Sequence, residues 1–398
     1  MSHHVEAGML PGLVTMVCRR GQVHVDTIGC TAVAVADGGG EPMRPDTIFR
    51  ITSMTKPITA VATMMLVEAC RLRLDDPVDD LLPELAGRRV LTRPDAPLHD
   101  TVPAERSVTV RDLLTFTSGD GLVLPPTGAP AADRAAWAPP INRAAAELEL
   151  CFGPPTPRTP HDPDEWLRRL GTLPLACQPG GSWLYDVGAA VLGVLIARAS
   201  GQPLDEFLRQ SVFEPLGMRD TGFTVPAADL DRLPPAYAVD AATGDLVVAD
   251  DPADSTWATP PAFPNGANGL VSTADDLLQF GLMLLDGGRC GSERLLSRPT
   301  IEAMTADQLS PAQKAGTGFL PGWWDSLGWG LGLAVVTRRV AGPSTPGRFG
   351  WDGGWGTSFW VDPAEDLLGV LLTQRQAFPQ LSPLASDFWT SVYQAIDD

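Results

Sequence analysis

Lysine is nearly missing from this chain. Of 398 residues only Lys56 and Lys314 are lysine; every other strong base is arginine. Basic side chains are outnumbered 29 to 48 by acidic ones, a formal net charge of −19. That excludes a nucleic-acid surface, which needs clustered Lys and Arg. No apolar run is long enough to span a bilayer, so no membrane partner is expected. The opening "MSHHVEAGML PGLVTMVCRR" lacks a basic n-region and a small-residue cleavage site. It therefore reads as a cytoplasmic chain without a signal peptide. The six cysteines form no C-x-x-C and no Cys/His cluster, so no metal site is expected and the thiols read as reduced and structural. There is no G-x-S-x-G elbow and no G-x-x-x-x-G-K-[ST] loop. The first absence removes the α/β-hydrolase reading and the second a phosphate cradle. The five histidines, at 3, 4, 24, 99 and 161, sit in no strong motif, so a Ser-His-Asp triad would have to use a scattered one.

What remains is a globular composition, 44% hydrophobic and 19% charged. The length exceeds one compact core and points to two domains or lobes. Near the start, "LVTMVCRR", a Gly-Gln turn and "VHVDTIG" read as a β-hairpin. "TSMTKPITAVATMMLVEACRLRL" reads as a buried helix, capped by Thr52 or Ser53, with Pro57 in its first turn. Helices are also predicted at "DVGAAVLGVLIARASG", at "STADDLLQFGLMLLDGG" behind Ser272 or Thr273, and at "SDFWTSVYQAI". "LGLAVVTRRV", "RFGWDGG", "WGTSFWVDP" and "EDLLGVLLTQ" read as antiparallel strands, with a tight turn at Asp362-Pro363. The predicted class is α/β in the α+β sense: an antiparallel sheet built from both termini and flanked by helices, with a mostly helical domain inserted. Residues 1–75 and 270–398 form the first domain and 76–269 the second. A Pro/Ala-rich excursion at 121–165 is either a lid or binding loop or a solvated insertion.

Three features carry chemistry. Ser53 and Lys56 share one face of a helix, so hydroxyl and amine can meet. Lysine, unlike arginine, can lose its proton when desolvated and then serve as a base. The plain alternative is a capped helix with a surface lysine. Tyr185, one of three tyrosines, stands just before a strong helix; beside a lysine a phenol can shuttle protons, and alone it can simply pack. In "FGWDGGWGTSFWVDP", Gly353 and Gly354 bare a strand backbone, which suits an oxyanion site or a β-bulge.

In this order and at these separations, the three features resemble the serine hydrolases of the class C β-lactamase and penicillin-binding-protein superfamily. "FRITSMTKPITA", "VTVRDLLTFTSG", "PGGSWLYDVGAAVLGVLIARASGQPLDEFL", "FEPLGMRDTGF", "NGANGLVSTADDLLQFGLMLL" and "GWDGGWGTSFWVDP" carry the resemblance over most of the chain. It implies Ser53 as nucleophile, Lys56 as its activator and Tyr185 as proton carrier. It implies an oxyanion hole of the Ser53 and Gly354 N–H groups, with the site in a cleft between the two domains. Trp351-Asp352-Gly353 stands where the family has Lys-Thr-Gly, and Val187 where it has the Asn of Tyr-x-Asn. The cation that would meet a β-lactam carboxylate is therefore absent, and Asp352, if exposed there, would repel one. The resemblance is to the esterase and acyltransferase members, with a small-molecule ester or amide as substrate, an acyl acceptor as a possible second partner, and no cofactor. Trp351, Asp352, Gly353 and Trp355 are the expected substrate contacts. The tryptophans 323, 324, 329, 351, 355 and 360 either line an apolar pocket or belong to the core.

Overall fold

Strands from the two ends of the chain meet in one sheet. The computed structural model describes residues 1–397 except 34–39, 127–128, 131–132, 134–135, 153–158, 320, 340–343 and 378–382. The hairpin β1 (Gly12–Arg19) and β2 (Gln22–Gly29) forms as its sequence predicts. The C-terminal part adds β3 (Leu327–Trp329), β4 (Ala334–Val336), β5 (Phe349–Gly353), β6 (Thr357–Asp362) and β7 (Leu367–Thr373). The order is β3-β4-β5-β6-β7-β1-β2, antiparallel throughout. β7 is buried along its whole length, which is why "LLGVLLT" shows no polar alternation.

Helices cover both faces. The short α1 (Ser2–Glu6) lies beside β2. The helix that carries Lys56 is α2 (Thr55–Glu68), and "VGAAVLGVLIARAS" is α3 (Val187–Ser200). α4 (Ala274–Leu285) packs on β7, β6 and β1, and α5 (Leu384–Gln394) packs on β7 from the other side. Residues 76–269 supply α3, shorter helices at Val110–Leu114, Pro140–Glu147 and Pro163–Thr172, and two small ribbons. In the 121–165 excursion, Trp137 Nε1 and Asn142 Nδ2 both donate to the Val123 carbonyl, at 3.0 and 2.9 Å.

Some boundaries differ from expectation. α2 ends at Glu68, and neither Thr52 nor Ser53 caps it through its side chain. A single 3₁₀ turn, Thr52–Met54, leads in instead. The strand expected over 331–340 is confined to Ala334–Val336, and β3 was not anticipated; residue 340 lies outside the described residues. Thr273, not Ser272, caps α4.

The approach to the 3₁₀ turn is fixed by a buried ion pair. Arg50 lies in the two-residue strand Phe49–Arg50, which pairs with Val271–Ser272. Its guanidinium donates to Asp250 Oδ2 and to the Pro234 carbonyl, each at 2.7 Å. Removing one partner of such a pair leaves a charge uncompensated. Arg50→Met strips the Asp250 carboxylate of its cation and is expected to lower unfolding free energy by about 3–5 kcal/mol. Urea denaturation measures it, and a midpoint unchanged from the parent protein refutes the anchoring role.

Candidate active site

Ser53 sits in the 3₁₀ turn and Lys56 in the first turn of α2, one helical step on, and both are buried. Thr52, the residue before the serine, has φ +42°, a conformation that non-glycine residues seldom hold. Lys56 Nζ lies 3.0 Å from Ser53 Oγ, 2.8 Å from Asp186 Oδ1 and 2.8 Å from the Ala267 carbonyl. A carboxylate and a carbonyl only accept, so the amine donates to all three and uses the full donor set of an ammonium. Burial alone would push Lys56 down; the Asp186 carboxylate and Tyr185 outweigh it and hold the lysine above its ordinary value. The Asp186 counter-ion thus favours the charged form of Lys56 over the neutral base expected from the sequence.

Tyr185 closes the other side. Lys56 Nζ stands 4.5 Å from the centroid of its ring, a cation–π contact in a dry setting. Trp351 on β5 donates its indole N–H to Tyr185 Oη at 2.8 Å. Burial pushes the phenol up and Asp186 adds to this; the Lys56 ammonium and hydrogen bonds from Ser53 and Trp351 offset only part of it, so Tyr185 stays above its ordinary value. Phe116, Trp183 and Phe319 pack around the phenol ring, with Phe319 edge-on at 4.8 Å. Together they give the ring an apolar surround.

β5 must come very close to the Ser53 turn. A Cβ on Gly353 would lie 2.1 Å from Thr357 Oγ1 and 2.4 Å from the Ile51 carbonyl, so only glycine fits. That approach places the Gly354 N–H against the turn, where it donates to Thr52 Oγ1 at 2.7 Å. The donor expected for the oxyanion is thus bonded to a threonine hydroxyl.

One expected substrate contact is corrected. Asp352 follows Trp351 on a strand and so faces the other way. Its Oδ1 accepts from Ser358 Oγ at 2.6 Å and from Trp360 Nε1 at 2.9 Å, on the side covered by α5. It cannot repel an anion in the site. Trp360 lies on the same side, beside Arg348. Trp355 is fully buried, and among the described residues its indole N–H has no acceptor. Trp323, Trp329 and Trp351 do gather on the site side, and Trp324 packs on Trp183.

Sequence reasoning missed Asp186, Thr52 and the Ala267 carbonyl. Only Asp186 left a signal, an acid directly after Tyr185 at the head of an apolar helix. His4, His24 and His161 find partners elsewhere. Among the described residues, His3, His4 and Asp387, where α1 meets α5, form a grouping that could hold a metal ion; it includes none of the residues around Ser53.

A family model described as Beta-lactamase matches residues 1–393. The chain belongs to the beta-lactamase family. Among its relatives, protein Rv1367c of Mycobacterium tuberculosis is 38% identical, covering 95% of this chain and 88% of that one. Esterase EstB of Burkholderia gladioli is 32% identical, covering 96% and 91%. The solved structure of EstCE1, titled a hydrolase with promiscuous acyltransferase activity, superimposes with TM-score 0.75 at 26% identity, covering 98% and 96%. Esterase and acyltransferase relatives support a serine hydrolase that works by acyl transfer on the β-lactamase fold.

Trp351→Phe removes one hydrogen bond to Tyr185 Oη and little volume. An N–H donor favours the phenolate, so its loss raises the pH at which Tyr185 ionises. With three tyrosines, ultraviolet titration resolves one moving group. A titration identical to the parent's would show the indole bond to be inert.

Proposed function

We propose that the protein is a carboxylesterase-like serine hydrolase acting on neutral esters through an acyl-enzyme at Ser53. The observation that carries this reading is the buried convergence of Ser53, Lys56 and Tyr185, with Nζ 3.0 Å from Oγ. Tyr185, as the phenolate beside the Lys56 ammonium, takes the Ser53 proton as Oγ attacks the acyl carbon. The tetrahedral oxyanion accepts from the Ser53 and Gly354 N–H groups. Tyr185 then gives its proton to the departing alkoxide. Water enters, passes a proton to Tyr185 and attacks the acyl carbon, and Ser53 Oγ leaves with that proton. No step calls for a cofactor. The site lies where the sheet-bearing part, 1–75 and 270–398, faces the helical part, 76–269.

The substrate argument rests on what lines the site. Trp351 offers an indole where an ammonium would hold a carboxylate. Beside Tyr185 lies a cavity of about 360 Å³ lined by Leu122, Leu124, Trp137, Trp183 and Thr317. Part of the 121–165 excursion thus walls a space next to the group that protonates the leaving alcohol, which favours esters of apolar alcohols. The same space suits an acyl acceptor, so transfer to an alcohol or amine is the second reading. Product analysis with and without an added acceptor separates the two.

Intact-mass measurement after mixing with p-nitrophenyl butyrate is expected to show one acyl group on the protein and none on Ser53→Ala. Both p-nitrophenyl acetate and butyrate should turn over faster than nitrocefin. Faster nitrocefin hydrolysis would overturn the substrate argument, and an acylated Ser53→Ala would overturn the nucleophile.

A further inference from the structure

Asp186 occupies a backbone conformation that needs a reason. Its φ is +88° and its ψ −60°, the strained γ-turn region, which a non-glycine residue seldom holds. Glycine would hold it with less strain. The turn lets Tyr185 and Asp186, consecutive in the chain, both reach Lys56: the phenol ring under Nζ and the carboxylate 2.8 Å from it. Both members of the Lys56–Asp186 pair are almost wholly enclosed, at 1% and 3% exposure. A buried ammonium without a counter-ion is strongly disfavoured and readily gives up its proton. Among the described residues, the ion pair with Asp186 is the one recorded for Lys56.

We infer that Asp186 is a positioning residue: its carboxylate keeps Lys56 an ammonium and aims it at Ser53 Oγ and the face of Tyr185, so that Tyr185 and not Lys56 receives the serine proton. This rests on the acyl-enzyme reading above. The strained turn is then the cost of bringing a charge to Lys56. Among the described residues, the titratable groups that face Lys56 are Asp186 and Tyr185. The loop before Val271 presents the Ala267 carbonyl, and β5 presents Trp351, which is uncharged. The negative charge of Asp186 raises both Lys56 and Tyr185. Removing it moves both titrations to lower pH. Activity needs the phenolate and the ammonium together, so the whole kcat/KM profile shifts toward acid.

The test is the pH dependence of p-nitrophenyl butyrate hydrolysis by the parent protein, Asp186→Asn and Asp186→Gly, each checked for folding by circular dichroism and for Ser53 labelling by a fluorophosphonate. Both variants are expected to show the acidward shift. Their activity relative to the parent should then fall roughly tenfold or more between neutral and alkaline pH, the effect of one pKa unit's worth of charge interaction. Glycine relieves the backbone strain, so a purely conformational role predicts a parent-like profile for Asp186→Gly; that result overturns the inference. Profiles that superimpose on the parent's in both variants overturn it too, while a labelled Ser53 keeps the acyl-enzyme reading standing. An unlabelled Ser53 in the parent protein sinks both.

Discussion

The enclosure of α2 is the constraint on which the rest depends. From Thr55 to Met64 every residue of this helix is buried. Its first turn cannot swing, so Ser53 and Lys56 are held by their neighbours rather than by their own rotamers. Small side chains make the enclosure possible: Ala60 sits under Gly332, and Thr59 Oγ1 donates to the Gly266 carbonyl at 2.7 Å. A charge buried this deeply must be matched from another element, and Asp186 at the head of α3 supplies the match. Fold and chemistry are therefore coupled at one point, the contact of α2 with α3.

Around that point the site is assembled from parts distant in sequence. The serine comes from the N-terminal third, the tyrosine and aspartate from the helical insertion, the indole and the bare strand from the C-terminal end. No part bends toward the others by itself. Gly353 allows the strand to touch the serine turn, and the Arg50–Asp250 pair holds the chain leading into that turn. The aromatic shell of Phe116, Trp183, Trp351 and Phe319 then lowers the local dielectric, which strengthens every charge interaction inside it.

Much of this was legible in the sequence, for physical reasons. The apolar runs of α3 and β7 have no alternative to burial, and their bounds followed closely. Ser53, Lys56 and Tyr185 stood out because the chain writes lysine and tyrosine so rarely. Asp352 misled, because adjacent strand residues face opposite ways and a motif gives no hint which of two neighbours points inward. The charge state of Lys56 was hidden for a different reason. It depends on a carboxylate 130 residues away, and no local pattern reports that two such groups will meet. β3 is three residues long, too short to impose a period on the sequence.

The hydroxyl of Thr52 already occupies the Gly354 N–H. An ester carbonyl arriving there would exchange one neutral hydrogen bond for another and gain little. A tetrahedral alkoxide is a different guest: hydrogen bonds to an ionised acceptor are about twice as strong as neutral ones. On the acyl-enzyme reading proposed above, the threonine would act as an internal competitor that a resting substrate scarcely displaces and an oxyanion displaces easily. Such a device withholds affinity from the ground state and releases it at the moment of bond formation, which is the condition for binding energy to appear as rate.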